Sequence, residues 1–422
     1  MRGTQGGWRA LASALALATG PGARAAETLA IEHVRVVPSF GAAGARPIED
    51  GTVVVAGGTV KALGAASAVR VPAGARRVDG RGGTLLPGFW NVHVHFTEER
   101  FAGAGRRPAE ELSRACRDML TSQGFTTVVD LGSFPPNTVA LRSRAPALDC
   151  PRILTTGASM YPAGAVPIYV RKAVGDAVAD GLPQPRTGAE AARIVGYDVR
   201  LGARGIKLFV GTWLGGGKTG LMDLAVVKDA AAEAHRRGLV VFAHPQTAAG
   251  VAESIDGGVD VLAHTAPDMG AWSPELIERI RARKMALAPT LSLWRVEMER
   301  GSVDREFADR FIAAGAAQLR AFAAAGGEVL FGTDVGYIPE KDAAEEVGRM
   351  AAAGMDWRSI GISLTTAPAR RMKDLVRGVL APGAPADLVL VEGDPSADVE
   401  ALTRVRQTWV AGKSVFSRES AL

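Results

Sequence analysis

Four of the six histidines in this 422-residue chain stand at the ends of short apolar runs. His93 and His95 are two apart in Phe89-Trp90-Asn91-Val92-His93-Val94-His95. On a strand that spacing turns both imidazoles to one side, so a single cation can take both. His244 closes Val241-Phe242-Ala243-His244, and His264 closes Val261-Leu262-Ala263-His264. Lys207, in Gly205-Ile206-Lys207-Leu208-Phe209, and Asp334, at the end of Phe331-Gly332-Thr333-Asp334, occupy comparable places. Imidazole and carboxylate together suit zinc and similar divalent ions, and such ions lower the pKa of a bound water enough to make a nucleophile near neutrality. An H-x-H pair alone is weak evidence. Four further strand ends bearing metal-competent groups turn it into a pattern.

The elements that would position these groups are short apolar runs alternating with helical patterns, the mark of βα units around a parallel sheet. Candidate strands end near His95, Asp130, Thr156, Phe209, His244, His264, Thr290 and Asp334, and eight such units predict an α/β fold with a (β/α)8 TIM barrel. A helix is expected from Asp223 to Arg237, with Leu224, Val227, Ala231 and Ala234 on one face. Ser273-Pro274 reads as an N-cap followed by proline at the first helical position. Two long loops, 157–187 and 211–220, are rich in glycine and should shape a pocket at the catalytic face. Short β runs also fill the stretch from Leu29 to about Leu86 and return from Ala386 to Val410. The expected organisation is a leader over 1–26, a composite β-sandwich domain from 27–86 and 376–422, and a barrel over 87–375.

The leader is read from Arg2 and Arg9, the apolar run Leu11 to Ala18 and the small residues Ala23-Arg24-Ala25, which together resemble a secretory signal. Its removal would take Arg2, Arg9 and Arg24 and no acidic residue, lowering the formal charge from +5 to +2. Little basic excess then remains, and no lysine and arginine cluster interleaved with aromatics suggests a nucleic-acid partner. No later stretch is long enough to span a bilayer. Export to the periplasm or the outside would place Cys116 and Cys150 in an oxidising compartment, where a disulfide is allowed; two separate buried thiols fit the sequence equally well.

The strand-end residues, with Leu85-Leu86-Pro87-Gly88-Phe89, Gly124-Phe125-Thr126-Thr127-Val128-Val129-Asp130 and Gly383-Ala384-Pro385-Ala386-Asp387-Leu388-Val389, resemble the amidohydrolase superfamily over essentially the whole mature chain. The pattern is most similar to the imidazolonepropionase-like and prolidase-like members of its binuclear, carboxylated-lysine branch. The resemblance implies two divalent metal ions, zinc by preference. His93, His95 and Asp334 would hold one ion, His244 and His264 the other, and Lys207, carrying a carbamate derived from carbon dioxide, would bridge both. It further implies a bridging hydroxide as nucleophile, Asp334 as general acid-base, and His264 and Lys207 as part of the catalytic set. His33 and His235 are read as structural.

The activity expected from this resemblance is hydrolysis of an amide C–N bond in a small, carboxylate-bearing molecule such as a dipeptide or N-acyl amino acid. Lactonase, phosphotriesterase, lactam hydrolase and deaminase activities are the enzymatic alternatives, and a catalytically silent scaffold is the non-enzymatic one. Deaminases of the superfamily carry a Glu soon after the fifth-strand histidine, whereas His244 is followed by Pro245-Gln246-Thr247. Tyr161, Tyr169, Arg171, Trp213, Lys218, Arg295 and Tyr337 fall in or just after catalytic-face loops and are candidates for substrate contact. Asp130 either orients a ligand from behind or caps its own turn. The sequence leaves a homo-oligomer open.

Overall fold

The computed structural model describes residues 28–41, 46–339 and 341–420. The leader expected over 1–26 lies outside them. At the N-terminal end, β-branched runs and turn residues give strands β1 (Leu29–Val36), β2 (Ile48–Ala56), β3 (Thr59–Ala65), β4 (Arg76–Asp79) and β5 (Thr84–Pro87). The central strands are β6 (Phe89–Val94), β7 (Phe125–Asp130), β8 (Arg152–Thr155), β9 (Gly205–Phe209), β10 (Gly211–Gly215), β11 (Lys218–Leu221), β12 (Val240–His244), β13 (Val261–Leu262), β14 (Ala286–Leu287) and β15 (Glu328–Val329). The C-terminal end adds β16 (Leu388–Val391), β17 (Val405–Val410) and β18 (Lys413–Ser417).

The two chain ends meet, as the sequence leads one to expect. Their strands are hydrogen-bonded into one eight-stranded mixed sheet, in the order β18-β17-β16-β5-β1-β2-β3, with β4 beside β1. The reason lies in β5, which pairs parallel with β1 on one edge and antiparallel with β16 on the other, so the halves join edge to edge. Ile31, Val53, Leu85, Leu388 and Trp409 are buried together on this sheet. Burying such side chains, at about 25 cal/mol per Å² of apolar surface, is what fastens the ends to each other.

The central strands build the TIM-barrel-like domain as two parallel arcs. One runs β6-β7-β8 and the other β9-β12-β13-β14-β15, while β10 and β11 form a separate hairpin. At the seams only isolated parallel bridges occur, Met160 with Leu208 and Val94 with Val335, so the ladder is not continuous around all eight strands. β6, β7, β8, β9 and β12 end within one residue of the expected positions, but β13, β14 and β15, only two residues long, stop at Leu262, Leu287 and Val329, short of His264, Thr290 and Asp334. Between them the helix Leu224–Arg236 is capped by Asp223, whose side chain accepts from Ala225 N, and buries Val227, Ala231 and Ala234. Ser273 caps Pro274–Ala282 by accepting from Leu276 N.

Cys116, in the helix Ala109–Met119, is bonded to Cys150, just before β8. The bridge closes a loop of 34 residues and resolves the alternative left by the sequence in favour of a disulfide. No helix among the described residues is long and apolar enough to cross a membrane.

Candidate metal centre

β6 delivers His93 and the start of the turn that holds His95, and its end is fastened to the segment that follows β15. Val92 N donates to Phe331 O, Asp334 N to His93 O and His95 N to Val335 O, at 2.8–2.9 Å. Asn91, fully buried, completes the clamp: its Nδ2 donates to Thr333 Oγ1 at 2.7 Å and its Oδ1 accepts from His93 N. Two glycines make this approach possible. A Cβ at Gly332 would lie 2.9 Å from His93 Cβ, and one at Gly336, where φ is +95°, would lie 1.8 Å from His95 O. Asp334 itself sits in the left-handed region at φ +64°, a conformation costing about 1 kcal/mol or more for a non-glycine residue, and the clamp holds it there.

The result is a cluster in which ligand atoms of His93, His95 and Asp334 lie within 4.8 Å of one another. Asp334 Oδ1 is 3.2 Å from His93 Nε2 and 2.9 Å from His95 Nε2. That oxygen is nevertheless buried and makes no hydrogen bond of acceptable angle. Three ligand atoms gathered so closely are arranged as for a common cation, and the donor set fits a divalent ion.

The other three expected ligands stand beside this cluster. The His264 ring centroid is 4.7 Å from that of His93 and 4.6 Å from that of His244. Lys207, on β9, is 1% exposed, and its Nζ lies 5.4 Å from the centroid of Phe209. The lysine therefore points to the interior among the histidines rather than out to solvent. Their local electrostatics suit ligation. Burial pulls the His93 imidazole down to about 4 and His244 down to about 3, and holds His264 well below its ordinary value, so all three rings are neutral at pH 7. Burial also draws the Lys207 amine down to about 7, against the opposing pull of Asp334. For Asp334 burial acts upward, but the His93 and His95 rings outweigh it and hold the carboxyl well below its usual range.

Several supporting residues were not singled out by the sequence. Gln246 Oε1 is 2.8 Å from His244 Nε2, and Thr290 Oγ1 is 2.7 Å from His264 Nδ1. The clue to Gln246 was its place two residues after His244. Thr290 was visible only as a strand end, and Asn91 only as part of the run before His93. Asp130, fully buried, accepts from Ser133 N, Ser133 Oγ, Thr138 Oγ1 and Thr155 Oγ1. It closes its own turn, and Ser133 Oγ, which donates to it, accepts from Phe96 N at 2.7 Å, one residue past His95.

The candidate substrate contacts divide. Tyr169 reaches the centre, with its hydroxyl 3.4 Å from His244 Nε2 and its ring against Tyr337. Tyr337 donates to Glu297 Oε1 at 2.9 Å. Tyr161 is buried and stacks on Phe209. Trp213 Nε1 donates to Asp268 Oδ2 at 2.8 Å, tying the β10–β11 hairpin to the segment after β13, and Lys218 is exposed on that hairpin. The two arginines are engaged with acids of their own: Arg171 with Asp176 and Asp180, Arg295 with Glu345 and Glu299.

The amidohydrolase family model matches residues 84–415, and the chain belongs to this family of hydrolases. No curated protein sequence matches it. Among solved structures it is similar to a Xaa-Pro dipeptidase crystallised with methionine in its active site, at 21% identity and a TM-score of 0.78, covering 92% of this chain and 99% of that one. A prolidase complexed with N-methylphosphonate-L-proline is 19% identical, with a TM-score of 0.72 and coverage of 93% and 100%. The ochratoxinase of A. niger is 18% identical, with a TM-score of 0.75 and coverage of 93% and 96%. At these identities the likeness is one of fold.

Proposed function

We propose that this hydrolase cleaves an amide C–N bond in a small molecule, using two divalent cations held by His93, His95, Lys207, His244, His264 and Asp334. The observation that carries the reading is Asp334 Oδ1, buried and within 3.2 Å of two imidazole nitrogens, with two more neutral histidines and a buried lysine alongside. The bound ions, zinc by preference, would supply Lewis acidity toward the scissile carbonyl and lower the pKa of an attacking water. Lys207 would take part as its carbamate. Only an uncharged amine condenses with carbon dioxide, and an amine drawn to about 7 is substantially uncharged at neutral pH. Asp334, ionised in its buried setting, accepts the proton of the attacking water on a carboxylate oxygen and returns it to the departing nitrogen. Tyr169, its hydroxyl at the rim of the centre, is placed to donate to a substrate oxygen.

Prolidase and dipeptidase neighbours support dipeptides and N-acyl amino acids as the substrate class. Because Arg171 and Arg295 are committed to ion pairs and the Tyr337 hydroxyl to Glu297, recognition of a substrate carboxylate falls to Tyr169 and Lys218 in this reading. The disulfide supports export to an oxidising compartment. The test is a screen of metal-loaded protein against dipeptides, N-acyl amino acids, lactones and phosphotriesters. Turnover concentrated in the first two classes is expected; turnover confined to lactones or phosphotriesters would overturn the amide assignment.

A further inference from the structure

Thr290 stands immediately before the helix Leu291–Gly301, at the position where a threonine hydroxyl ordinarily caps the first turn. Here it does not, because the side chain is turned the other way, toward His264. Thr290 Oγ1 lies 2.7 Å from His264 Nδ1 and 2.9 Å from Pro289 O. A carbonyl can only accept, so the hydroxyl proton goes to Pro289. Its oxygen then has only lone pairs to offer His264, which must carry its proton on Nδ1. Nε2 is thereby left as the atom with a free lone pair. The arrangement requires Thr290 in the left-handed region, at φ +47° and ψ +50°, which is unfavourable for a β-branched residue and must be enforced from outside.

Glu346, from the helix Ala344–Ala352, supplies that enforcement. It is fully buried, and its Oε1 accepts from Leu291 N at 2.8 Å. Its Oε2 accepts from Ser292 N at 2.8 Å and from Ser292 Oγ at 2.7 Å. A carboxylate from another helix thus takes the capping duty that Thr290 has given up, at the end of the helix where the backbone dipoles favour negative charge. Nothing else in the ordinary chemistry of the site calls for a buried acid there.

We propose that Glu346 is a positioning residue for the metal centre: by capping the helix Leu291–Gly301 it fixes Thr290, and through Thr290 it holds His264 in one tautomer and one orientation. This rests on His264 being a ligand in the reading above. The tautomer can nonetheless be read without metal, by two-bond nitrogen–proton correlations in metal-free protein labelled with 15N-histidine. The His264 signals would be identified by their loss in His264→Asn. The wild type is expected to show His264 wholly as the Nδ1–H form. Glu346→Gln, which sets an amide N–H against a backbone donor, is expected to give a mixture, as is Thr290→Val, while Thr290→Ser restores the single form. In a zinc titration Glu346→Gln should weaken one of two sites by at least tenfold and spare the other. An unchanged His264 tautomer in both Glu346→Gln and Thr290→Val would overturn the proposal, and if Glu346→Gln does not fold, Glu346→Asp, which shortens the cap, is read in its place with the same two outcomes. If the wild type binds a single zinc while the tautomer still shifts, the two-metal reading fails and this inference stands.

Discussion

Asp334 combines two roles that a substitution can separate. Asparagine keeps an oxygen for the cation but cannot accept and return a proton, so Asp334→Asn should retain most of its metal and lose turnover by about a thousandfold or more. Metal content and kcat on the same preparation check this, and a variant with near-normal kcat would remove Asp334 from its role. Lys207→Ala should lose metal and activity together, with part of both recovered in added short carboxylic acids that replace the bridging oxygens. Full activity without such additives would contradict the bridging assignment. A different residue governs pH behaviour. Asp198 is buried under Gly157 and Ala158, where one oxygen accepts from Ala158 N at 3.0 Å and the other has no partner. Burial lifts its carboxyl to about 7, far above the ordinary value of 3.8. Ionisation therefore costs the folded state stability, a cost that grows as pH rises from about 4 to about 7 and is constant beyond. In thermal melts across that window, Asp198→Asn should gain on the wild type with rising pH and level off above 7; parallel curves would sink the argument. At this scale the six ligand candidates could be named from sequence, because a metal-binding side chain at the end of an apolar run is visible without coordinates, and the structure brings ligand atoms of three of them, His93, His95 and Asp334, within 4.8 Å of one another. Glu346 and Asp198 were not, since a buried acid in a helical pattern looks like a solvated one until the neighbouring helix is known.

The elements were legible where periodicity was strong and less so where geometry depended on a partner. The helix Leu224–Arg236 and the cap at Ser273 followed from local sequence, and so did the ends of β6, β7, β8, β9 and β12, whereas β13, β14 and β15 stop short of the expected ends. The pairing of the chain ends was expected, but the strand order of their sheet did not follow, because which edge of β5 meets β16 is decided by pairing across some 300 residues and not by the runs themselves. The disulfide belongs to this scale too. It ties the helix Ala109–Met119 to the chain entering β8, a strand of the β6-β7-β8 arc that carries His93. Closing a loop of 34 residues should contribute about 4 kcal/mol by restricting the unfolded chain. Reduction with a thiol, or Cys116→Ala with Cys150→Ala, should lower Tm by several degrees while leaving the metal content of the folded protein intact. No change in Tm would show that the bridge does not restrain the unfolded chain.

For the whole molecule, the organisation converts a strand-end pattern spread from His93 to Asp334 into one buried centre. The two arcs bring their strand ends to the same face, the Asn91 clamp fastens first strand to last, and the eight-stranded sheet joins the chain termini beside them. The long loop after β8 brings the Tyr169 hydroxyl to His244, and Trp213 and Asp268 tie the β10–β11 hairpin to the segment after β13. The sequence could not say which cations in these loops were available, because Arg171 and Arg295 find their acids only once the loops are folded. The most direct measurement is the metal content of the purified protein by mass spectrometry, followed through chelation and restoration with hydrolysis of an N-acyl amino acid as the second readout. About two equivalents of zinc or a similar ion per chain, removed together with activity and restored together with it, is the predicted result. Protein that hydrolyses the amide equally well after all divalent metal has been stripped would contradict the account at its centre.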